Sequence, residues 1–584
     1  MSSSDRDAPN EPAENKSAPI TPTDDTRPAP EVDTEQIERK VRRAFELVPP
    51  IGEGWRRWYD LPYRLLNWLL FSWPRRLLHW RLIPRLGNAL NYLGAFNHYE
   101  RLKVEPLDDP MENLVIPEGE EVTQGGIWVV EFFPPSCFSS LTEALAKNGW
   151  DEPSRMYGFD DGTNAQKVTL ARRGKGFSWS NIGAVADPKS RYSSIDAKHE
   201  VLPEEFRLIQ LTAVQLGQSL TAVTAFFRLS DRGQEALNNV WKAQHEPTFE
   251  WQGLRPPHSE PRLFAAIRAT QRERKRLHDL ARSWLADRCG GFFSTTKAGQ
   301  PVVDFTMFAK FDPTAAAPTR ELGDPLRALG MEGDHVFNYI SPQLPGAVLV
   351  RGESLRPYDS EDLTNCWGLV GAYEVFADHN DEIGHGQKPY SVATLGAMSD
   401  DAIRDFLLNV AAVRYTEQLS EIYSDARDTA QRKHREFKPR KVEKLRRELL
   451  TTSLDLPVVA RDTAFLWEPA WRLWNGIDVK AVSVPGDLYP EEGFDLIKEF
   501  EHKSNKAFEQ LVRDDVAYRD VLSTASALGA SAASARLGRR ALFVSGTSLL
   551  VSVVSVLTAD HASAWHHISV VLSDLRHFWL DHAS

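Results

Sequence analysis

The feature that most constrains this chain is an uncharged segment of 19 residues near its C-terminus, from Ala541 to Ala559. A helix of that length reaches about 28 Å, close to the thickness of the hydrocarbon core of a bilayer. Arg539 and Arg540 precede the segment, and the groups beyond it are mostly acidic or neutral. Because positive charge collects on the cytoplasmic side of a membrane helix, the sequence predicts a single-pass membrane protein whose N-terminal bulk is cytoplasmic.

Polar residues leave other interpretations of this segment open. Hydroxyl side chains dilute its Leu and Val content, so a buried helix of a soluble protein would also fit. Ser545, Ser548, Ser552 and Ser555 fall largely along one side of a helix, which would suit several copies packed around a pore. Apolar residues recur at helical spacing after Asp560 and predict an amphipathic tail on the far side of the membrane.

A second segment with possible membrane contact lies near the other end of the chain. From Trp55 to Ala95 the sequence is crowded with Trp and Arg, and Asp60 is the only acidic residue. Its uncharged runs are too short to span a bilayer. The pattern fits an amphipathic structure lying in the headgroup region, or a pair of helices packed on the main domain. The predicted membrane-interface residues of the whole chain are Trp55, Trp58, Trp68, Trp73, Arg75, Arg76, Trp80, Arg539 and Arg540.

Strand and helix patterns alternate irregularly through the middle of the chain. Strands are predicted at residues 126–133, 167–171, 206–214, 219–229, 291–294, 301–311 and 367–377, with 206–214 and 219–229 as a hairpin. Helices are predicted at residues 231–243, 260–287 and 400–435. The fold class is therefore α+β: a mixed or antiparallel β-rich cytosolic body with long helices, followed by a helical stalk and one C-terminal transmembrane helix.

The domain organisation follows from these patterns and from composition. Residues 1–35 are acidic, rich in Pro and free of aromatic residues, which is typical of a disordered tail. A rough heptad at Ile497, Phe500, Ala507, Leu511, Tyr518 and Val521 predicts a coiled coil. The predicted order is a disordered tail (1–35), a basic Trp/Arg-rich helical segment (36–100), an α+β body (101–395), a helical region (396–488), a long helix or stalk (489–540), the transmembrane helix (541–559) and an amphipathic tail (560–584).

One group of polar residues could carry chemistry. Asp378, His379, Asp381, Glu382 and His385 follow the strand predicted at residues 367–377. In a loop they could hold a divalent metal or act as acid and base. Their spacing matches no metal-site pattern, so His379, Asp381 and His385 are metal candidates by residue type alone. No cofactor is predicted.

The cysteines bear on the cellular compartment and on a possible nucleophile, and the net charge bears on the class of partner. Only Cys137, Cys289 and Cys366 are present, too few for a disulfide framework, so a reducing compartment fits best. Cys366 could use His379 or His385 as a base, although a Cys at the start of a strand is commonly a core residue. The net charge of −12, half of which lies in residues 1–35, argues against a general affinity for nucleic acid. The basic stretch Arg432–Arg447 could face nucleic acid or anionic lipid, or could be a solvated pair of helices.

These features predict a membrane-anchored, cytoplasm-facing binding, sensor or assembly protein that forms a homo-oligomer through its C-terminal helices. One alternative is a self-associating membrane effector or pore-forming protein that uses the C-terminal helix. Another is a metal-dependent enzyme that uses residues 378–385. Catalytic signatures such as G-x-S-x-G and H-E-x-x-H are absent from the sequence.

Overall fold

A computed structural model describes residues 46–54, 56–104, 114, 116, 119–152, 162–174, 178–189, 197–251, 253, 257–315, 325–332, 337–352, 365–382, 390–435, 453–468, 476–484, 492–558 and 568–576. The chain divides into two compact units. The first contains residues 1–106 and 249–259, and the second contains residues 107–248 and 260–584. The predicted disordered tail and Trp55 lie outside the described residues.

The first unit is built on two helices joined by a 3-10 turn. These are α1 (Asp60–Phe71), the turn Trp73–Leu77, and α2 (Leu82–Val104). The ring of Tyr59 stacks on Phe96 of α2 with 6.3 Å between centroids. Phe249 packs on the same helix, 4.9 Å from the Phe96 ring. This small aromatic core holds the helical pair together.

The second unit contains a large mixed sheet and long helices. The elements that follow α2 along the chain are β1 (Val122–Phe133), α3 (Phe138–Lys147), α4 (Asn164–Arg173), β2 (Ser178–Ala186), β3 (Ala197–His199), β4 (Phe206–Leu216), β5 (Leu220–Leu229), α5 (Asp231–Trp241), β6 (Thr248–Glu250), β7 (His258–Glu260), α6 (Arg262–Arg288), α7 (Phe292–Thr296), β8 (Val302–Phe308), α8 (Pro325–Ala328), β9 (Met331–Glu332), β10 (Phe337–Ile340), β11 (Ala347–Gly352), β12 (Cys366–Ala372), α9 (Tyr373–Glu382), α10 (Val392–Met398), α11 (Asp400–Arg435), β13 (Lys480–Ser483) and α12 (Leu496–Thr558). They belong to the second unit, except that most of β6 and β7 falls within residues 249–259 of the first unit. A further helical stretch covers residues 453–464.

The main sheet has eleven strands in the order β13-β10-β11-β12-β8-β1-β5-β4-β2-β3, with β9 paired to β11. β8 pairs with β12 in parallel, as β2 does with β3, and the other neighbouring strands are antiparallel. β6 and β7 form a separate two-stranded sheet. The sequence-based prediction of a mixed α+β fold is therefore confirmed.

Helices cover both faces of the sheet, which explains why its central strands read as continuous apolar runs. On one face the ring of Trp128 stacks on Phe226 with 3.9 Å between centroids. Gly396 of α10 lies over this pair, and a Cβ there would come within 3.1 Å of the Trp128 ring. On the other face α6 buries Leu277 and Leu285. The sheet therefore lies between two hydrophobic cores, one on each of its faces.

The last long helix, α12, changes surroundings along its length. Ile497, Phe500 and Leu511, three residues of the predicted heptad, are buried in the core of their own chain. The described side chains from Ser523 to Ser555 are all exposed. The first part of the heptad seam is therefore an intramolecular contact with α11 and its neighbours, where the sequence had suggested a contact between copies.

Several predicted elements agree with the structure, and three do not. The hairpin β4–β5 and helices α5, α6 and α11 are present where expected. Residues 167–171 were predicted as a strand but lie in α4, which begins with a capping box between Thr163 and Gln166. Residues 291–294 overlap α7, and the strand predicted at 367–377 ends at Ala372, where α9 begins. Short apolar runs do not distinguish strands from helices, which explains these errors.

Candidate functional sites

The C-terminal part of α12 is long and apolar enough to cross a membrane. The segment Leu537–Ser555 spans 19 residues, and none of it is buried. Phe543 is 76% exposed and Val551 is 65% exposed. Arg539 and Arg540 are also exposed. The predicted segment 541–559 and this helix overlap over most of their length, and residue 559 lies outside the described part of the chain.

Three of the five hydroxyl groups within this segment, those of Thr547, Ser552 and Ser555, bond to the backbone of their own helix. Thr547 Oγ1 donates to the carbonyl oxygens of Phe543 and Val544 at 3.1 and 2.8 Å. Ser552 and Ser555 donate to carbonyls one turn earlier, each at 2.9 Å. These hydroxyls are satisfied without water, so they add little to the cost of placing the helix in lipid.

A second exposed apolar surface lies on the first unit. Leu61, Leu65 and Trp68 lie one turn apart on α1, and Trp73 in the 3-10 turn contacts Trp68 with 6.4 Å between ring centroids. We call this the aromatic face, and its large apolar side chains are between 47% and 77% exposed. Its members are Trp58, Leu61, Leu65, Trp68, Phe71, Trp73, Leu77 and Trp80.

The charged residues of the same region differ in burial, since Asp60 is buried and several arginines are exposed. Asp60 is 0% exposed and accepts hydrogen bonds from Gly52 N at 2.9 Å and from Arg57 Nε at 3.0 Å. Burial alone would raise the pKa of Asp60, but these donors and the Arg57 charge hold it below its usual value. Arg56, Arg75 and Arg76 are exposed. The region therefore presents apolar and positively charged groups to its surroundings.

A thiol, an imidazole and a carboxylate meet between α6 and the sheet. Cys366 Sγ lies 3.6 Å from His278 Nδ1, and His278 Nε2 lies 2.7 Å from Asp304 Oδ1. Arg274 contacts Asp304 Oδ2 through both Nε and Nη2, at 2.9 and 2.6 Å. Gln124 also donates to Asp304, at 3.0 Å. The histidine beside Cys366 is thus His278. His379 does not take that place, and His385 lies outside the described residues.

Charges within this cluster shift the pKa of each member. Burial lowers the pKa of His278, but the Asp304 carboxylate outweighs it and raises the value to about 8. The cations around Asp304 overcome burial and lower its pKa to about 2. Arg282 and His278 likewise lower the pKa of Cys366. Because Cys366 is 1% exposed, a substrate cannot reach the sulfur in this conformation, and the cluster serves to hold α6 on the sheet.

The group predicted as a possible metal site has a different local structure. Asp378 and His379 lie in helix α9, where the sequence had suggested a loop. The side chain of Asp381 and all of His385 are outside the described residues. Within the described part of the chain, no group of three or more His, Cys, Asp or Glu residues is arranged so that it could hold a metal ion.

A polar cleft of about 220 Å³ opens between the β2–β4–β5 end of the sheet and the start of α11. Trp179, 52% exposed, lines it, and the Arg404 guanidinium lies 5.7 Å from its ring. Asp400 accepts from Trp128 Nε1 at 2.7 Å and from Arg404 at 2.6 Å. Its lining residues come from distant parts of the sequence, so sequence reasoning missed the cleft. The local signals were pairs two residues apart, such as Trp179 and Asn181 on β2 and Gln210 and Thr212 on β4, because residues at that spacing lie on the same face of a strand.

Comparison of the chain with protein-family models, curated proteins and solved structures found no match.

Proposed function

We propose that this protein is anchored to a membrane by the C-terminal part of α12, and that its α+β unit acts beside the membrane as a binding or assembly module. The observation that carries the proposal is the change along one continuous helix. Its side chains are buried in the body at Leu511 and Asp515, and its described side chains are exposed on every side from Leu537 to Ser555. An exposed helical segment that is this rich in large apolar residues needs lipid or another apolar surface around it.

Flanking charge supports an orientation. Arg539 and Arg540 lie at the start of the exposed apolar segment, on the side that leads to the α+β unit. Because Lys and Arg near a membrane helix favour the cytoplasmic side, we infer that this unit faces the cytoplasm. The two arginines lie in the first turn of the 19-residue segment, where their long side chains can extend to the headgroups.

The binding part of the proposal has support from the polar cleft. Exposed Trp179 stands beside the ion pair of Asp400 and Arg404. An aromatic surface beside fixed polar groups is the common composition of a small-ligand site. Self-association and pore formation remain predictions; the intrahelical bonds of Ser552 and Ser555 favour a lipid-facing helix over a water-filled lumen. Asp378 and His379 add no support to the metal-dependent enzyme hypothesis.

The anchor is tested by placing one charge in it. Val551→Asp adds a carboxylate to the middle of the apolar segment, which costs about 3 kcal/mol in a membrane helix. We expect the full-length protein to float with liposomes and the Val551→Asp variant to remain mostly in the aqueous fraction. Val516→Asp is the matched control, since Val516 is a valine of the same helix with 57% exposure against 65% for Val551.

The outcomes of this experiment separate the anchor from a general effect of charge. Loss of flotation in Val551→Asp with retention in Val516→Asp supports the proposal. If neither the parent protein nor the variants float with liposomes, the proposal is refuted. Equal loss in both variants would also count against it, because a body-proximal charge should not alter insertion of the distal segment.

A further inference from the structure

We infer that the aromatic face of the first unit is a second membrane contact, which lies in the headgroup region of a bilayer that contains anionic lipid. This inference deepens the proposed function and rests on it for the presence of a membrane. It identifies the class of partner that the face contacts, and it adds a surface that is separate in sequence from the α12 anchor.

The large apolar groups of α1 are distributed differently from those of a helix in a soluble protein. A helix of a soluble protein turns its apolar stripe to the core and its polar residues to water. In the first unit the charged Asp60 is buried, while Trp68 is 47% exposed and Phe71 is 71% exposed. Trp73 and Leu77 continue the exposed surface into the 3-10 turn, at 69% and 77%. Clustered large apolar groups of this kind mark a contact surface.

The size of the face fits a position in the plane of the membrane surface. α1 has 12 residues and is about 18 Å long, so it cannot cross the hydrocarbon core. Tryptophan prefers the boundary between headgroups and acyl chains, because its ring is apolar and its N–H is polar. Four tryptophans of this face are exposed, namely Trp58, Trp68, Trp73 and Trp80.

The charges around the face select anionic lipid. Arg56, Arg75, Arg76, Arg81 and Arg85 are all exposed. Arginines near an anionic membrane surface are attracted to its phospholipid headgroups. Asp60, the only acid from Trp55 to Ala95, is paired with Arg57 at 3.0 Å and points away from solvent. The surface therefore has no exposed carboxylate within that stretch to repel phospholipid headgroups.

The anchor in the same chain favours lipid over a protein as the occupant. Once the apolar segment of α12 is inserted, the first unit is tethered beside the bilayer at a high effective concentration. Even a weak interfacial affinity is then sufficient for the face to be occupied by lipid.

The test uses the full-length protein in vesicles and one fluorophore at a time. In a Cys137→Ser background, an environment-sensitive dye is attached at Leu77→Cys, in the aromatic face. Val201→Cys is the control, because Val201 is an exposed aliphatic residue of the α+β unit, at 84% against 77% for Leu77. Val551→Cys reports the anchor. Quenching by nitroxide-labelled lipid is measured in neutral phosphatidylcholine vesicles and in vesicles with 30% phosphatidylserine, about the range in which anionic lipid attracts basic segments.

We expect at least threefold stronger quenching at position 77 than at position 201 in the anionic vesicles, and a clear decrease in neutral vesicles. Arg75→Glu with Arg76→Glu should reduce the quenching at position 77, and the Lys substitutions at both sites should retain it. Quenching at position 551 but not at position 77 would overturn this inference and leave the anchor intact. No quenching at position 551 would overturn the proposed anchor instead. Equal quenching at position 77 in neutral vesicles would overturn the preference for anionic lipid, and protection from aqueous iodide without lipid quenching would indicate a protein partner.

Discussion

His278 Nε2 lies 2.7 Å from Asp304 Oδ1 and joins helix α6 to the central strand β8 inside the core. Both side chains are almost wholly inaccessible, at 1% and 0% exposure. Arg274 binds the other oxygen of the same carboxylate. A buried ion pair of this kind is costly to break, since the remaining partner keeps a charge without compensation.

The His278–Asp304 contact predicts a pH dependence of stability. The pKa of His278 is about 8 in the folded chain against an ordinary value of 6.5. The folded state therefore binds this proton more tightly, and its stabilising effect is complete below pH 6.5 and is lost as the pH rises through 8. We expect the free energy of unfolding to fall by about 1–2 kcal/mol between pH 6.5 and 8.5, measured by denaturant titration in mild detergent.

Replacement of the histidine provides the control for this prediction. His278→Gln should be less stable at pH 6.5 and should have a flatter pH profile above pH 7. His502→Gln, at an exposed position of α12, should keep the parent profile. Burial also raises the pKa of Glu131, to about 7, which decreases stability mainly between pH 4.5 and 7, so the interval above pH 7 separates the effect of His278 from that of Glu131. A parent stability that rises from pH 6.5 to 8.5 would contradict the prediction.

The buried hydrogen bonds of Glu131 predict that an isosteric substitution at this position strongly lowers the stability of the fold. Its carboxylate is fully buried and accepts from the backbone N–H groups of Phe293 and Ser294 at 2.7 and 3.1 Å, and from Gln300 Nε2 at 2.7 Å. In Glu131→Gln one acceptor oxygen becomes an NH₂ group that faces N–H donors. We expect a loss of about 3 kcal/mol and a lower melting temperature by calorimetry.

The exposed Glu143 of α3 serves as the reference site for that experiment. Glu143→Gln removes the same charge without a buried acceptor, so the melting temperature should stay within about 1 °C of the parent value. Similar melting temperatures for the two variants would show that the Glu131 contacts contribute little.

Thiol labelling tests whether the Cys366 cluster is closed. Cys137 is half-buried, whereas Cys289 and Cys366 are buried. We expect one reactive thiol in the folded protein and three after denaturation, as counted with a chromogenic disulfide reagent. Cys137→Ser should abolish the reaction of the folded protein. If a folded variant that also carries Cys289→Ser still reacts at the rate of a free thiol, Cys366 is accessible, and its lowered pKa would make it a nucleophile.

The elements that the sequence predicted well are those whose pattern is local. The β4–β5 hairpin has two apolar runs on either side of a turn in which Gly217 adopts φ +62°, a conformation that glycine adopts without strain. The long helices α6 and α11 have clear periodicity and end near expected residues. The strand order could not be predicted, because the parallel contact of β8 with β12 joins residues more than 60 positions apart and depends on tertiary packing.

The polar sites were harder to predict for the same reason. Cys366 was identified as a possible nucleophile, but the sequence indicated nearby histidines as its base. Its neighbour His278 is 88 positions away and sits on α6 one turn after Arg274, an i, i+4 pair that places both side chains on one helix face. That spacing was visible in the sequence, but the carboxylate that the pair shares, Asp304, becomes apparent only when β8 is placed beneath α6.

The contact of α12 with α11 predicts how the anchor is held on the body. Asp515 of α12 is 5% exposed and accepts from Tyr423 of α11 at 2.9 Å and from Ser453 at 2.5 Å. Arg519, one turn later, pairs with its other oxygen at 2.6 Å. Because Asp515 is a charged group in a buried, mainly apolar seam with Phe508 and Leu511, we expect it to fix the register of the two helices, as buried polar groups do in coiled coils.

Asp515→Ala should leave the Tyr423 and Ser453 hydroxyls without this acceptor and destabilise the docking of α12 by about 2–4 kcal/mol. Hydrogen exchange should therefore become at least tenfold faster along residues 496–520, while the central strands β1 and β5 change less, because local opening requires only that α12 leave α11. Asp520→Ala removes an exposed carboxylate from the same helix and should leave the exchange unchanged. If the two variants exchange alike, the apolar residues of the seam alone hold α12, and Asp515 does not set its register.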